Sequence, residues 1–310
     1  MKITDFDDFR RPNRKPWFLL ILLVIVALIC VQRYRREDKK IFPEKPSEKE
    51  VTAVTLDKKG SIDSPFDIKR MLAQAKNLKN KGSLANARSI YLEILKKNED
   101  AGIRAEVERN IGDINIKLVF SPMMMPEKVE YIVKPRDLLQ KIARRYGTTV
   151  ELIQKSNKLK NPDLIKTGDV FRVLKGKFTI TVDKSDNEMV VCLNDEFFKK
   201  YRVGTGEFGK TPTGTFIIKE KIPEPPWWRG DGSVIDYTGD PKGDNILGTR
   251  WMSLRATGET PDARGYGIHG TWDSSTVGKS LSAGCIRLKN NDVEELFALV
   301  REGTKVTIVE

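Results

Sequence analysis

The sequence predicts a multidomain chain: a single N-terminal transmembrane helix, a small α-helical segment, a compact βααβ unit and a mostly β, sandwich-like C-terminal domain. Three observations carry that expectation. Residues 17 to 31, WFLLILLVIVALICV, form an uncharged apolar run. Apolar residues recur at helical spacing between about residues 64 and 120. Beyond residue 177, short alternating runs such as FTITVD and MVVCLN are punctuated by glycine and proline, the pattern of a β sandwich. At 310 residues the chain exceeds one ordinary core and allows two or three compact units.

The apolar run is bracketed by Arg10, Arg11, Arg14 and Lys15 before it and by Arg33, Arg35 and Arg36 after it. It is short against the roughly 20 residues of a full span. It has no polar face, however, and its position after a basic segment fits an uncleaved signal anchor over residues 17–32, with 1–16 in the cytoplasm. Residues 33–63 mix Lys, Glu, Pro and Ser and are read as a solvated linker.

At Ser64 the pattern changes to an N-cap, a proline at the first helical position and Asp67 in the first turn, with Ile68, Leu72, Ala75 and Leu78 following at helical spacing. Lys81-Gly82-Ser83 breaks this helix and starts a second, carrying Leu84, Ala87, Tyr91, Ile94 and Leu95 on one face. A third is expected from Ala101 to about Leu118. The stretch KGSLANARSIYLEILKK resembles a helix of the tetratricopeptide repeat, but a single unit buries its own face poorly, so 64–120 is read as a helical spacer. SPMMMP at 121–126 ends it as a linker or an adhesive packing strip rather than a metal tract. Residues 128–175 then read as strand YIV, a helix from about Asp137 to Tyr146, a turn at Gly147, a helix from about Val150 to Ser156 and strand VFRVL.

Net charge of +12 and a pI near 9.4 predict attraction to a polyanion, whether nucleic acid, anionic lipid or an anionic cell wall. The three cysteines build no disulfide framework: Cys30 lies in the apolar run, Cys192 in a strand, and Cys285 in a glycine-rich loop. With one histidine in the chain, a zinc site of the usual His and Cys kind is not expected, which sets zinc-dependent peptidases aside. No cofactor or metal is called for.

The chemistry concentrates in residues 265 to 288, GYGIHGTWDSSTVGKSLSAGCIRL, which hold His269 and, sixteen positions later, Cys285. A thiol of ordinary pKa, about 8.5, is mostly protonated at neutral pH, and the thiolate is the nucleophile, so a catalytic cysteine needs a base or a positive charge nearby. His269 supplies the base and Arg287 the charge. Gly284 allows a tight turn before the nucleophile, so that backbone N–H groups at Gly284 and Cys285 become candidates for an oxyanion hole. Ser282 is a candidate for orienting the loop or the substrate. For Arg287 the alternatives are a charge beside the thiolate, a substrate-carboxylate contact or a fork that pins the loop. Residues 222 to 246 form a long loop with Pro225, Pro226, Trp227, Trp228 and Tyr237, and long loops are usually functional. Trp227 and Trp228, with Tyr266 and Gly270 beside His269, are the candidate substrate contacts.

His-Gly followed by Ser-x-Gly-Cys-x-Arg, with KTPTGTF at 210–216, PPWW at 225–228 and LGTRWMSL at 247–254, resembles the YkuD-type L,D-transpeptidase catalytic domain over residues 177–310. YIVKPRD, IARRYGTTVELI and TGDVFRV resemble a LysM module, a binder of N-acetylglucosamine-containing glycans, with Arg136 where glycine is usual. The resemblance implies a peptidoglycan enzyme: Cys285, activated by His269, takes the acyl group of a tetrapeptide stem, releases D-alanine and passes the acyl group to an amine. It also implies that partners are glycan strands, stem peptides and, through 17–32, the cytoplasmic (inner) membrane, not nucleic acid, with the catalytic domain in the periplasm or outer wall zone. At the position of Ala283 many relatives carry a second histidine or another polar residue, so Ala283 takes no part in acid–base work here.

Papain-like peptidases place cysteine before histidine, and sortases separate the two much farther, so neither fits the order His269, Cys285, Arg287. An L,D-carboxypeptidase using water as acceptor, and an inactive LysM wall-anchoring protein, are the remaining alternatives.

Overall fold

The C-terminal strands are laid on a frame that starts with three helices. The computed structural model describes residues 65–310; the expected anchor at 17–32, its flanks at 1–16 and 33–63, and Cys30 lie outside the described residues. Among the described residues no helix is long and apolar enough to cross a membrane. The helices are α1 (Pro65–Asn80), α2 (Leu84–Lys97) and α3 (Ala101–Val119). Gly82, at φ +77°, makes the turn that lets α2 fold back on α1. Asp100 caps α3 by accepting a hydrogen bond from the Ile103 N–H at 2.9 Å. The apolar stripes read from spacing are the ones that disappear from solvent: Ala87, Tyr91 and Ile94 on α2, and Val107, Ile111, Ile114 and Leu118 on α3.

Next comes the βααβ unit: β1 (Lys128–Ile132), α4 (Leu139–Tyr146), α5 (Val150–Ser156) and β2 (Val170–Leu174). Its strands pair antiparallel from Lys128↔Leu174 to Ile132↔Val170 around a small core of Tyr131, Leu139, Ile142, Ile153, Phe171 and Val173. Arg136 takes φ +66°, so the loop keeps a glycine-type backbone at a strain of about 1 kcal/mol.

The C-terminal domain is one mixed sheet of eight strands, not two stacked sheets. Its strands are β3 (Phe178–Asp183), β4 (Glu188–Leu193), β5 (Glu196–Arg202), β7 (Gly214–Pro223), β10 (Arg250–Ala256), β11 (Gly267–His269), β13 (Ile286–Arg287) and β14 (Lys305–Val309). They are ordered β13-β11-β10-β7-β14-β3-β4-β5. Two short ladders stand apart, β6 (Thr205–Gly206) with β12 (Ser280–Ser282) and β8 (Trp227–Trp228) with β9 (Val234–Ile235). Helix α6 (Asn290–Leu299) adds Val293, Leu296 and Leu299 to the core formed by Phe216, Ile218, Met252 and Ile268. Cys192 is on β4, as the alternation predicts, but on its half-buried face, while Met189, Val191 and Leu193 fill the core.

The helices are more than a spacer. Strand β5 is the sheet's last strand, and α3 packs along it. Asn115 on α3 donates to the Phe198 carbonyl at 2.8 Å, and one continuous core runs from the helices into the sheet. An uncovered edge would be a template for aggregation. The junction is tied by Arg88, 5% exposed, which donates to Asn115 Oδ1 at 2.6 Å and pairs with Glu127 at 2.7 Å and Glu196 at 3.4 Å. Lys128, also buried, donates to the carbonyls of Leu118 and Ser121 at the end of α3. Burial lowers its pKa to about 8, with the charge of Arg172 acting in the same direction. From the other side, Thr149 Oγ1 reaches the Ala298 carbonyl at 2.5 Å.

Removing one partner of a buried charge network is costly. Arg88→Ala is therefore expected to lower unfolding free energy by about 3 kcal/mol or more, measured by chemical denaturation, and a change under 1 kcal/mol would show the network to be peripheral.

Candidate active site

The site grows from strand register. Strand β11 pairs parallel with β13, Ile268 opposite Ile286 and His269 opposite Arg287. Side chains alternate, so Ile268 and Ile286 enter the core while His269 and Arg287 take the other face. Cys285 immediately precedes this strand. On the far side of β11, Trp251 of β10 pairs with His269, and its ring lies tilted 31° to the imidazole at a centroid distance of 5.7 Å. Gly267 is required beside it, because a Cβ there would come within 2.6 Å of the Trp251 ring. His269, Cys285, Arg287 and Trp251 line a cleft of about 470 Å³ with Trp227, Trp228, Ile222, Leu247, Ser282 and Ala283.

His269 is buried, and its Nδ1 lies 2.6 Å from the Gly270 carbonyl. A carbonyl only accepts, so Nδ1 carries the proton and Nε2 is left as the basic nitrogen. Burial pushes the imidazole pKa down to about 4; the Gly270 and Leu247 backbone contacts oppose this, and the charge of Arg287 adds to it. Cys285 Sγ sits 3.7 Å from the Gly265 carbonyl. Burial raises its thiol pKa, against opposing contributions from the Gly267 backbone and Arg287. The resting pair is therefore neutral thiol and neutral imidazole.

The loop before the nucleophile is tightly held. Gly284 adopts φ +132°, and a Cβ there would lie 2.5 Å from the Tyr266 ring. Thr211, in the KTPTGTF segment, accepts from the Gly206 N–H at 2.7 Å and donates to the Gly284 carbonyl at 2.9 Å. Ser282 Oγ donates to the Cys285 carbonyl at 2.6 Å and accepts from the Gly284 N–H at 3.0 Å. That last bond corrects one expectation: the Gly284 N–H is occupied, whereas among the described residues the Cys285 N–H has no partner.

Trp227 and Trp228 both reach the cleft, on the β8–β9 hairpin, with Trp228 72% exposed. Gly270 does not line it; its carbonyl orients His269 instead. Tyr266 packs against Gly284 and lines a neighbouring cavity. The Arg287 guanidinium makes no hydrogen bond or ion pair among the described residues, so it is not a fork pinning the loop, and it faces both the cleft and a further cavity. Sequence reasoning missed Trp251 and Thr211. Both lie in segments already noted for the resemblance, but only register and loop contact reveal their roles. Among the described residues no cluster of three or more His, Cys, Asp or Glu is placed to hold a metal ion.

A mixed sheet presenting cysteine, histidine and arginine on one wall of an apolar cleft defines a class of cysteine–histidine sheet protein, and comparison assigns it a family. Residues 177–308 match the family model of the L,D-transpeptidase catalytic domain, YkuD, and residues 131–173 that of the LysM domain. The chain is similar to YqjB of Bacillus subtilis, 39% identical over 138 residues, covering 44% of this chain and 74% of that protein. It is also similar to YkuD of Bacillus licheniformis, 30% identical over 186 residues, covering 57% and 97% respectively. Among solved structures, an L,D-transpeptidase from Mycobacterium smegmatis matches with TM-score 0.34 at 21% identity, covering 46% of this chain and 64% of that one. The chain belongs to the L,D-transpeptidase family.

A neutral resting pair has a measurable signature. Alkylation of Cys285 by iodoacetamide, mapped by peptide mass, should rise about tenfold per pH unit from pH 7 to 9, following the thiolate fraction. A flat, fast rate between pH 5 and 8 would instead indicate a thiolate–imidazolium pair.

Proposed function

We propose that the chain is a peptidoglycan L,D-transpeptidase that forms cross-links through a thioester on Cys285. The observation that carries this reading is the placing of a buried, Nδ1-protonated His269 and the Cys285 thiol on one wall of the same cleft. In the proposed first step, His269 Nε2 takes the thiol proton as sulfur attacks the carbonyl preceding the terminal D-alanine of a tetrapeptide stem. The C–S bond forms, the C–N bond breaks, and the same proton passes to the departing D-alanine amine. The unpaired Cys285 N–H is the candidate oxyanion donor. Arg287, whose guanidinium makes no hydrogen bond or ion pair among the described residues, is suited to a carboxylate of the stem. An amine of a second stem then attacks the thioester and restores the thiol. Bond energy is carried through the thioester, so neither ATP nor a metal is called for.

The LysM module supports retention on glycan strands, and an anchor at 17–32 would hold the chain at the inner membrane with this domain outside the cytoplasm. Incubation of the full chain with disaccharide-tetrapeptide is expected to release D-alanine and yield a dimeric muropeptide. Cys285→Ala should abolish both, and His269→Asn should slow D-alanine release by about 100-fold or more. Tripeptide without dimer would assign an L,D-carboxypeptidase, and no turnover from the wild type would leave a wall-anchoring protein.

A further inference from the structure

The catalytic cleft does not end at its tryptophans. It runs on into a neighbouring cavity of about 410 Å³, and Glu220, Trp251 and Gly265 belong to both. The shared wall is the thiol's own, since the Gly265 carbonyl is the group 3.7 Å from Cys285 Sγ.

Glu220 reaches this place through a β-bulge. Strands β7 and β10 pair Ser253 with Glu220 and Leu254 with Ile218, which leaves Lys219 without an opposite residue. Unbroken alternation would put Glu220 on the face of Phe216 and Ile218, which are buried in the core. The extra residue turns Glu220 and Ile222 to the cleft and Lys221 to the opposite side, where its ammonium donates to the Phe297 and Val300 carbonyls at 2.6 Å each. Register also sets Glu220 in line with the nucleophile. Glu220 pairs with Ser253, Ser253 with Gly267, and the next position across the β11–β13 pair is Cys285. Three strand spacings separate the ends of this row, roughly 14 Å between backbones.

Charge completes the picture. Glu220 is exposed and makes no ion pair or hydrogen bond among the described residues. Arg264, in the same cavity, is taken by Asp262 at 2.9 Å. Lys219 and Arg255 line the cavity without ion pairs of their own. Arg287, on the strand that follows the thiol, makes no hydrogen bond or ion pair among the described residues, although its charge is felt by Asp273 across the second cavity. The two ends of the row thus differ: Arg287 stands beside the thiol on β13, while the far end carries the free carboxylate of Glu220 together with the cations of Lys219 and Arg255, a set matched to a group bearing both an ammonium and a carboxylate.

We infer that the cavity over Glu220 is the entry site of the acceptor, that the acceptor is a primary amine arriving as an ammonium ion, and that Glu220 is the positioning residue that favours it over water. The inference rests on the proposed transpeptidase reading and deepens it. The row is too long for the amine to touch Glu220 while it attacks, so Glu220 acts before the chemistry. It concentrates the ammonium at the mouth, and Lys219 and Arg255 face any carboxylate the acceptor carries beside it. On leaving Glu220 the ammonium gives one proton to solvent. The neutral amine attacks the thioester carbonyl, the C–N bond forms and the C–S bond breaks, and the amine's second proton passes through His269 to the departing sulfur.

The test uses the full chain with disaccharide-tetrapeptide as donor and acceptor, following D-alanine release and the ratio of dimer to tripeptide. At a tetrapeptide concentration that does not saturate the acceptor site, Glu220→Gln should lower the dimer-to-tripeptide ratio about tenfold, while the first-turnover burst of D-alanine, which precedes acceptor binding, persists. Glu220→Asp should restore most of the dimer. Added salt should lower the dimer fraction of wild type more than that of Glu220→Gln, which has lost one of the charges that attract the acceptor. A dimer-to-tripeptide ratio in Glu220→Gln within twofold of wild type, with the same salt response, would overturn the inference. Absence of D-alanine release from the wild type would overturn the proposed function, and this inference with it.

Discussion

The short parallel pairing of β11 with β13 is the constraint on which the site depends. It brings together residues sixteen apart in the chain, and it does so by burying Ile268 against Ile286. A slip of one residue would send His269 into the core and an isoleucine into the cleft. So short a ladder needs help, and it receives it from bonds just outside its ends. Gly270 N–H donates to the Arg250 carbonyl, Leu288 N–H to the His269 carbonyl, and Arg287 and Gly204 exchange a bond pair at 2.8 Å. Gly204 has no room for a Cβ, which would lie 2.7 Å from the Thr276 carbonyl.

Burial gives this site its electrostatic character. Charged forms of both His269 and Cys285 are disfavoured, so the pair waits neutral and ionises only when a substrate carbonyl can accept the sulfur. Burial holds His269 neutral as the pH falls until it approaches about 4, so its Nε2 is not blocked by a proton across the ordinary pH range. The geometry is set by groups that do not titrate: the Gly270 carbonyl on the imidazole, and Ser282 and Thr211 on the turn at Gly284. These bonds leave the Cys285 N–H free and explain why a loop rich in glycine and serine can present one orientation of its cysteine.

Much of this was legible in the sequence, and the exceptions are instructive. A lone histidine and a cysteine in a glycine-rich turn stand out by residue type, and the apolar stripes on α2 and α3 stand out by period. The bulge at Lys219 does not, because Lys219, Glu220 and Lys221 are all charged and alternation says nothing about which of them faces the cleft. Nor did the helical segment announce its partner. Its face is apolar whether it covers another repeat or the edge of a sheet, and only Arg88, Asn115 and their long-range bonds show that it covers β5. The Gly284 N–H looked available because a sequence carries no record of a serine hydroxyl folding back two residues.

The central claim is that Cys285 carries the acyl group. The measurement that addresses it most directly is rapid-quench intact mass of the full chain mixed with disaccharide-tetrapeptide, followed by peptide mapping. A transient adduct with the mass of the donor less D-alanine, confined to the Cys285 peptide, is the predicted result. An adduct on Cys192, or turnover with no covalent species at any quench time, would contradict the account.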